Sequence, residues 1–338
     1  MRSSHLPVFF SARRRALRAV LAAPVLAAGM GAVHAAEPVT LRLGAPYGTV
    51  PGIKTAIEEG YFDREGIKIQ LVTLAGGPAI LAATVGGSLE IGYADLFAWA
   101  GSIENGFKLA FVQPANGRGS VDYIVVGPDS AIKTPQDLKG KKIGVAAHAQ
   151  SKLRVALYLK RFGVSPADVQ FVVINQRDTV GAALANHQID AAIAPDPDVA
   201  RWEQEFKISA LPGRPWEQVP ATATTAGFFA TQDWYDKNPE LARRFARAAR
   251  AGAARYNAYS AEQKAGISLK YDKLDLFALE KTAPGVLKRM DDAHSAESGP
   301  IDLAATTEWL KIAAANGTIK RVIDLKPLLT PTATAPTL

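Results

Sequence analysis

The segment from residue 60 to residue 145 constrains the fold more than any other part of the chain. It reads G-Y-F-D-R-E-G-I-K-I-Q-L-V, then G-G-P-A-I-L-A-A-T-V-G-G-S-L-E-I-G-Y-A-D, and later I-K-T-P-Q-D-L-K-G-K-K-I-G-V. Each phrase has the form of a helix–strand unit. The pattern predicts a helix ending at Gly60, a strand over 67–73, a helix opened by the Gly76-Gly77 turn, and a strand over 90–93. Glycine stands where a helix must stop, or where backbone must come close to another group. Such alternation builds parallel sheet, and parallel sheets gather ligand loops at the carboxyl ends of their strands.

The pattern recurs loosely further on. Strands are predicted over 39–44, 141–145, 171–174 and 189–193, with helices near 52–60, 151–163 and 179–186. We read two similar α/β lobes, each a mostly parallel sheet flanked by helices. The apolar strands over 121–126 and 224–230 are expected to cross between them. Lobe 1 then comprises residues 37–125 and 229–327, and lobe 2 residues 126–228. Gly227 inside the returning strand suggests a bend or a close backbone approach, and so a hinge. Asn238-Pro239-Glu240 opens a helix whose apolar stripe includes Leu241, Phe245, Ala248, Ala249 and Tyr256, with Gly252 on the same stripe for close packing. A helix over 303–315 stops at Asn316-Gly317. The Thr-, Pro- and Ala-rich tail, residues 328–338, is expected to be poorly ordered.

The N-terminus reads as an export signal. Arg13, Arg14 and Arg15 precede an apolar run too short to span a membrane, and Val33-His34-Ala35 offers a cleavage site. The basic cluster approximates the twin-arginine pattern, with Ala16 where a Phe is more usual; the general secretory route stays open. The whole chain carries +7. Residues 1–35 hold five arginines and no acid, so their removal leaves 34 basic against 32 acidic residues. A balance of +2 does not suggest nucleic acid. The chain has no cysteine, which excludes thiolate chemistry, Cys-based zinc or iron–sulfur sites, and a lipid-anchored cysteine. The mature protein is therefore expected free in the periplasm.

These phrases, with D-A-A-I-A-P-D-P-D at 190–198, resemble the solute-binding proteins of ABC importers. The branch is that of nitrate, sulfonate, taurine and thiamine-precursor binders, and the resemblance covers about residues 40–235. It implies a two-lobed periplasmic binding protein of type II, joined by two crossing strands, with the ligand in the cleft. It also implies a monomer without a cofactor that delivers a small organic solute to a membrane permease. The solute types left open are sulfonate, pyrimidine and carboxylate. An enzyme on the same fold, like the related pyrimidine-precursor synthases, is the alternative; the export signal argues against it. Pro195 stands where relatives often carry an aromatic, so the precise solute is not carried over.

The carboxyl-end loops supply the candidate ligand residues. In lobe 1 these are Tyr47, Thr49, Gly76, Gly77, Asp95, Gln113 and Asn116. In lobe 2 they are His148, Gln150, Ser151, Arg177 and Asp196, and Thr225 joins them at the returning strand. Each has a plainer reading. Asp95 can cap a helix, Asp196 before Pro197 can be structural, and Arg177 can be a loop arginine at the surface. No residue is assigned a catalytic or metal-binding role. The sequence has no G-x-S-x-G, H-E-x-x-H, G-x-x-x-x-G-K-[ST] or G-x-G-x-x-G phrase.

Overall fold

A computed structural model describes residues 37–338 apart from 116–121, 175, 197, 294, 296–298 and 337–338. The expected signal segment and cleavage site, and the candidate Asn116, therefore lie outside the described residues. In chain order the first part runs β1 (Val39–Ala45), α1 (Pro51–Glu58), α2 (Tyr61–Arg64), β2 (Ile67–Thr73), α3 (Gly77–Val85), β3 (Ile91–Asp95), α4 (Leu96–Glu104) and β4 (Leu109–Ala115). The middle holds β5 (Asp122–Val126), β6 (Lys142–Val145), α5 (Ala149–Arg161), β7 (Gln170–Val173), α6 (Val180–Ala185), β8 (Ala191–Pro195), α7 (Asp198–Phe206) and the short β9 (Ser209–Ala210). The chain returns through β10 (Ala226–Thr231). It ends in α8 (Gln232–Lys237), α9 (Pro239–Asn257), α10 (Ala261–Asp272), α11 (Leu276–Thr282), α12 (Leu303–Ala315) and α13 (Pro331–Thr334).

Two five-stranded sheets share one plan. The first has order β2-β1-β3-β10-β4 and the second β7-β6-β8-β5-β9. In each, three parallel strands come first, and the fourth runs antiparallel to both neighbours. That fourth strand is the one arriving from the other lobe: β10 in the first sheet, β5 in the second. Four of the five strands in each sheet therefore point the same way. Their carboxyl-end loops open on one edge of the sheet, the ordinary place for a ligand in an open α/β layer. Apolar side chains fill both faces of each sheet, as helix-covered parallel strands require.

The lobe boundary differs from the expected one. β5 pairs only with β8 and β9, so residues 122–125 belong to the second sheet rather than the first. β4 up to Ala115 belongs to the first sheet and β5 from Asp122 to the second, and the chain returns between β9, ending at Ala210, and β10, starting at Ala226. A strand's own composition is the same whichever sheet it joins, which is why the sequence misplaced this edge. Gly227 is likewise not at a crossing. It pairs with Ala94 and Pro114 in mid-sheet, and a Cβ there would stand 2.5 Å from Phe111 Cζ. Its smallness admits the Phe111 ring, which stacks edge-on to Phe229. Gly252 does serve close packing: a Cβ there would lie 2.2 Å from Gly52 O, so α9 and α1 touch backbone to backbone.

The tail also departs from expectation. Residues 331–334 form a helix, Ala333 is wholly buried, and Arg250 clamps the carbonyls of Thr332 and Ala335 at 3.0 and 2.7 Å. Its threonines cap and bond rather than float: Thr330 accepts the N–H of Ala333 and donates to Phe111 O at 2.7 Å. A composition that resembles linker is here a terminal clasp on β4.

Candidate ligand-binding cleft

The loop after β1 forms one wall. Its backbone is fixed from α10, far along the chain. Gly48 N–H donates to Asp272 Oδ1 at 3.2 Å, and the Tyr47 hydroxyl donates to Asp272 O. Asp272 is itself held by Lys54 Nζ at 2.7 and 2.8 Å, an ion pair with both side chains nearly buried. Burial pulls the Lys54 ammonium below its usual value, and Asp272 opposes that pull. Thr49 closes the loop by donating Oγ1 to Pro46 O at 2.6 Å. Val50 then enters α1 at φ 50 and ψ 49. A β-branched residue in the left-handed region costs about 1–3 kcal/mol, and such strain persists only where the surroundings dictate it. Tyr47 stays 57% exposed.

Asp95 ends β3 and caps α4. Its Oδ1 accepts from Phe97 and Ala98 N–H, each at 3.0 Å. Among the described residues its Oδ2 accepts no hydrogen bond; it would stand 3.3 Å from a Cβ at Gly77. The absent side chain at Gly77 thus leaves that oxygen uncrowded at the start of α3. Gly76 has open space around it. The cap reading of Asp95 holds, and one oxygen remains for another partner.

Lobe 2 supplies the opposite wall. His148 caps α5, its Nδ1 accepting the Ser151 N–H at 3.2 Å. That bond uses the Nδ1 lone pair, so the neutral ring carries its proton on Nε2 and presents a donor. His148 itself is exposed to solvent. Desolvation lowers its pKa, opposed by the carboxylates of Asp95 and Asp122, while Arg154 adds to the lowering. The influence of Asp95 on His148 reaches from one lobe to the other. Arg177 makes a second such approach: its Nη1 would lie 3.6 Å from a Cβ at Gly48. Arg177 Nε bonds Asp198, and Arg201 Nη2 stands 3.6 Å from the other Asp198 oxygen. Desolvation and the carboxylates of Asp272 and Asp198 raise the Tyr47 phenol pKa, against the pull of Arg177 and Arg201.

Five predicted residues have other duties. Gln113 is wholly buried; it accepts from Arg250 Nε at 3.0 Å and donates to Gly299 O. Gln150 donates to Thr225 O at 3.3 Å and accepts from Arg154, which pairs with Asp122. Thr225 and Ser151 are almost fully buried. Ser151 Oγ accepts the Ala146 N–H, so it is not poised toward the His148 ring as a nucleophile. Asp196 is 8% exposed at its side chain and pairs with Arg289 at 3.0 Å. Desolvation raises its pKa, with Arg289 the main opposing influence. The cleft therefore gathers Tyr47, Gly48, Thr49, Gly77 and Asp95 from lobe 1 against His148 and Arg177 from lobe 2. Sequence reasoning missed Lys54, Asp272, Asp198 and Arg201 as supports. Only the three-residue spacing of Asp198 and Arg201 offered a local signal.

Residues 49–262, well over half of the chain, match the family described as NMT1/THI5 like. A Brucella abortus (strain 2308) protein, named only as a binding protein, is 26% identical over 79% of this chain and 82% of its own length. The taurine-binding periplasmic protein of Escherichia coli (strain K12) is 26% identical over 58% of this chain and 60% of its own. The crystal structure of the periplasmic aliphatic sulphonate binding protein SsuA from Escherichia coli superposes with a TM-score of 0.68. It covers 86% of this chain and 97% of that one at 19% identity. The desulfurization enzyme DSZB shares the fold as well, with a TM-score of 0.62 at 15% identity, over 87% of this chain and 96% of that one. The two-lobed fold is thus one on which both binding proteins and an enzyme occur, and this chain belongs to the NMT1/THI5-like family.

Proposed function

We propose that this chain is the solute-binding subunit of an ABC importer. It works in the periplasm, free of the membrane, after cleavage near Ala35. The observation that carries the reading is the approach of the two walls. Arg177 of lobe 2 lies against Gly48 of lobe 1, and His148 lies within the field of Asp95. A solute seated there touches both lobes, and its preference for the closed form drives closure. Moving such an equilibrium from 1:99 to 99:1 takes about 5.5 kcal/mol of differential affinity. The closed monomer then delivers its solute to a membrane permease. The taurine-binding and sulphonate-binding proteins that this chain resembles support that role.

The polar groups set the solute's chemistry. Arg177 and the His148 Nε2–H are donors suited to an anionic head, whereas the Asp95 Oδ2 favours a donor on the solute. A small organic acid, sulfonate or carboxylate, that also bears an amino or other donor group fits both. A thermal-shift panel on the mature protein tests this, since ligand that binds only the folded state raises its melting temperature. Taurine, alkanesulfonates, aromatic carboxylates and thiamine-type pyrimidines form the panel. A rise with one of the acids supports the reading; a rise with pyrimidines alone overturns the head-group assignment.

An enzyme on this fold is the second reading, favoured by the likeness to DSZB. Against it, Ser151 Oγ is buried on Ala146 N–H, and His148 Nδ1 is spent on a helix cap. Native mass spectrometry separates the two: a retained, unaltered solute supports binding, and its conversion supports catalysis.

A further inference from the structure

Residues 261–292 fasten to the two lobes by different means. On lobe 1 the buried Lys54–Asp272 pair holds the end of α10 against α1. Lys270 Nζ adds a bond to Glu58 at 2.6 Å, and the Tyr271 hydroxyl binds the same carboxylate. On lobe 2 the attachment is Arg289, in the turn Lys288–Asp292. It donates Nη1 to Asp196 at 3.0 Å and Nη2 to Glu203 at 2.5 Å. Asp196 follows β8 and Glu203 lies on α7, so both acids belong to the second lobe.

Little apolar packing supports this second attachment. Ala200 is the one buried lobe 2 residue, among those described, in the cluster with Ala261, Ala265, Leu276, Val286 and Met290. Beside it lies a cavity of about 270 Å³ lined by Glu203, Gln204, Pro284, Gly285 and Arg289. Arg289 is one-third exposed and Glu203 slightly less. The Arg289–Glu203 pair is partly hydrated and borders an open pocket, so that contact can part without exposing much apolar surface, whereas Asp196 is 8% exposed at its side chain and is the firmer half of the attachment. The α10 attachment, buried on both sides, cannot part in that way.

We propose that residues 261–292 form a strap across the cleft and that Arg289 latches it to lobe 2 in the closed state. Opening breaks the Asp196 and Glu203 pairs, while the α10 end stays on lobe 1. The latch then biases the solute-free protein toward closure. It uses no atom of the solute, so it holds whichever solute the cleft takes.

The chain lacks cysteine, so two introduced cysteines carry spin labels at unique places. Lys281→Cys on α11 and Glu205→Cys on α7 are exposed and flank the latch. Pulsed electron paramagnetic resonance on the mature, solute-free protein reads their separation. With Arg289 present we expect a distribution with a resolved short-distance population. Arg289→Met should lengthen and broaden it, and small-angle scattering of the same variant should give a larger radius of gyration. Should that variant fail to fold, Glu203→Gln keeps Asp196 paired and should give a smaller change in the same direction. An unchanged separation overturns the latch. A broader separation with an unchanged scattering curve overturns it too, because the strap would then detach without the lobes opening.

Discussion

The two walls of the cleft rise from sheets of the same strand order but are held by different physics. The lobe 1 wall is pinned from beneath. Asp272 and Lys54 pair in a nearly dry setting, Gly48 N–H joins them, and α1 and α9 pack backbone to backbone at Gly52 and Gly252. The lobe 2 wall ends in longer side chains at the surface: Arg177 is 46% exposed at its side chain and bonded to Asp198. Lobe 2 has its own buried pair, Arg154–Asp122, but it lies under the His148 end of the wall and not under Arg177. Shared topology therefore decides where a cleft lies, while the placement of charged pairs decides how firmly each loop beside it is held.

The largest effect should come from breaking the pinned side. Lys54→Met leaves Asp272 with a buried charge and no cation, and should cost about 3–5 kcal/mol of unfolding free energy, read by urea titration. Adding Asp272→Leu should restore most of that loss, because removing both charges is often neutral. The double variant should still bind solute poorly, since the Gly48 loop has lost its anchor. Full binding by the double variant would show that the loop needs no pin.

Next in size is Gly227→Val. The branched side chain would drive into the Phe111 ring, an overpacking cost of about 1–3 kcal/mol. Calorimetry should show a lower melting temperature, with the interlobe separation unchanged. A normal melting temperature with altered closure would return Gly227 to a hinge role.

Arg177→Gln tests the exposed end of the lobe 2 wall. An exposed ion pair contributes about 0–1 kcal/mol, so stability should barely change. The ligand-induced rise in melting temperature should vanish. Retention of the full rise would remove Arg177 from the solute's contacts and make the lobe 2 wall a bystander.

The smallest effect is the pH response of His148. Its folded pKa is lowered, so the unfolded chain takes up the proton first as pH falls. Stability from this group is full above its unfolded value near 6.5, falls as pH drops below it, and levels off beneath the folded value. Between pH 7.5 and 5.5 the wild type should therefore lose slightly more than His148→Gln, measured by paired melting curves. Equal losses would indicate that the ring is solvated as in the unfolded chain.

What was legible in the sequence was local. Glycine stops, the strand over 67–73, the Asn-Pro-Glu helix start and the Asp95 cap all depend on neighbours a few positions apart. The misreadings concern partners far along the chain. Gln113 looks like a loop amide until Arg250 is seen to face it, 137 positions away. Asp196 looks free until Arg289 is placed, 93 positions on. Lys54 and Asp272 lie 218 positions apart, with no spacing that could announce them. The tail was misjudged for the same reason: its threonines and alanines reveal packing only once Tyr235 and Arg250 are beside them.

The central claim is that one solute is held by both walls at once. Hydrogen–deuterium exchange of the mature protein, with and without the solute that raises its melting temperature most, tests it directly. The account predicts simultaneous protection at residues 48–49 and 95–98 of lobe 1 and at 148–151 and 177–179 of lobe 2. Protection confined to one lobe, or centred on segments away from these four, would contradict it.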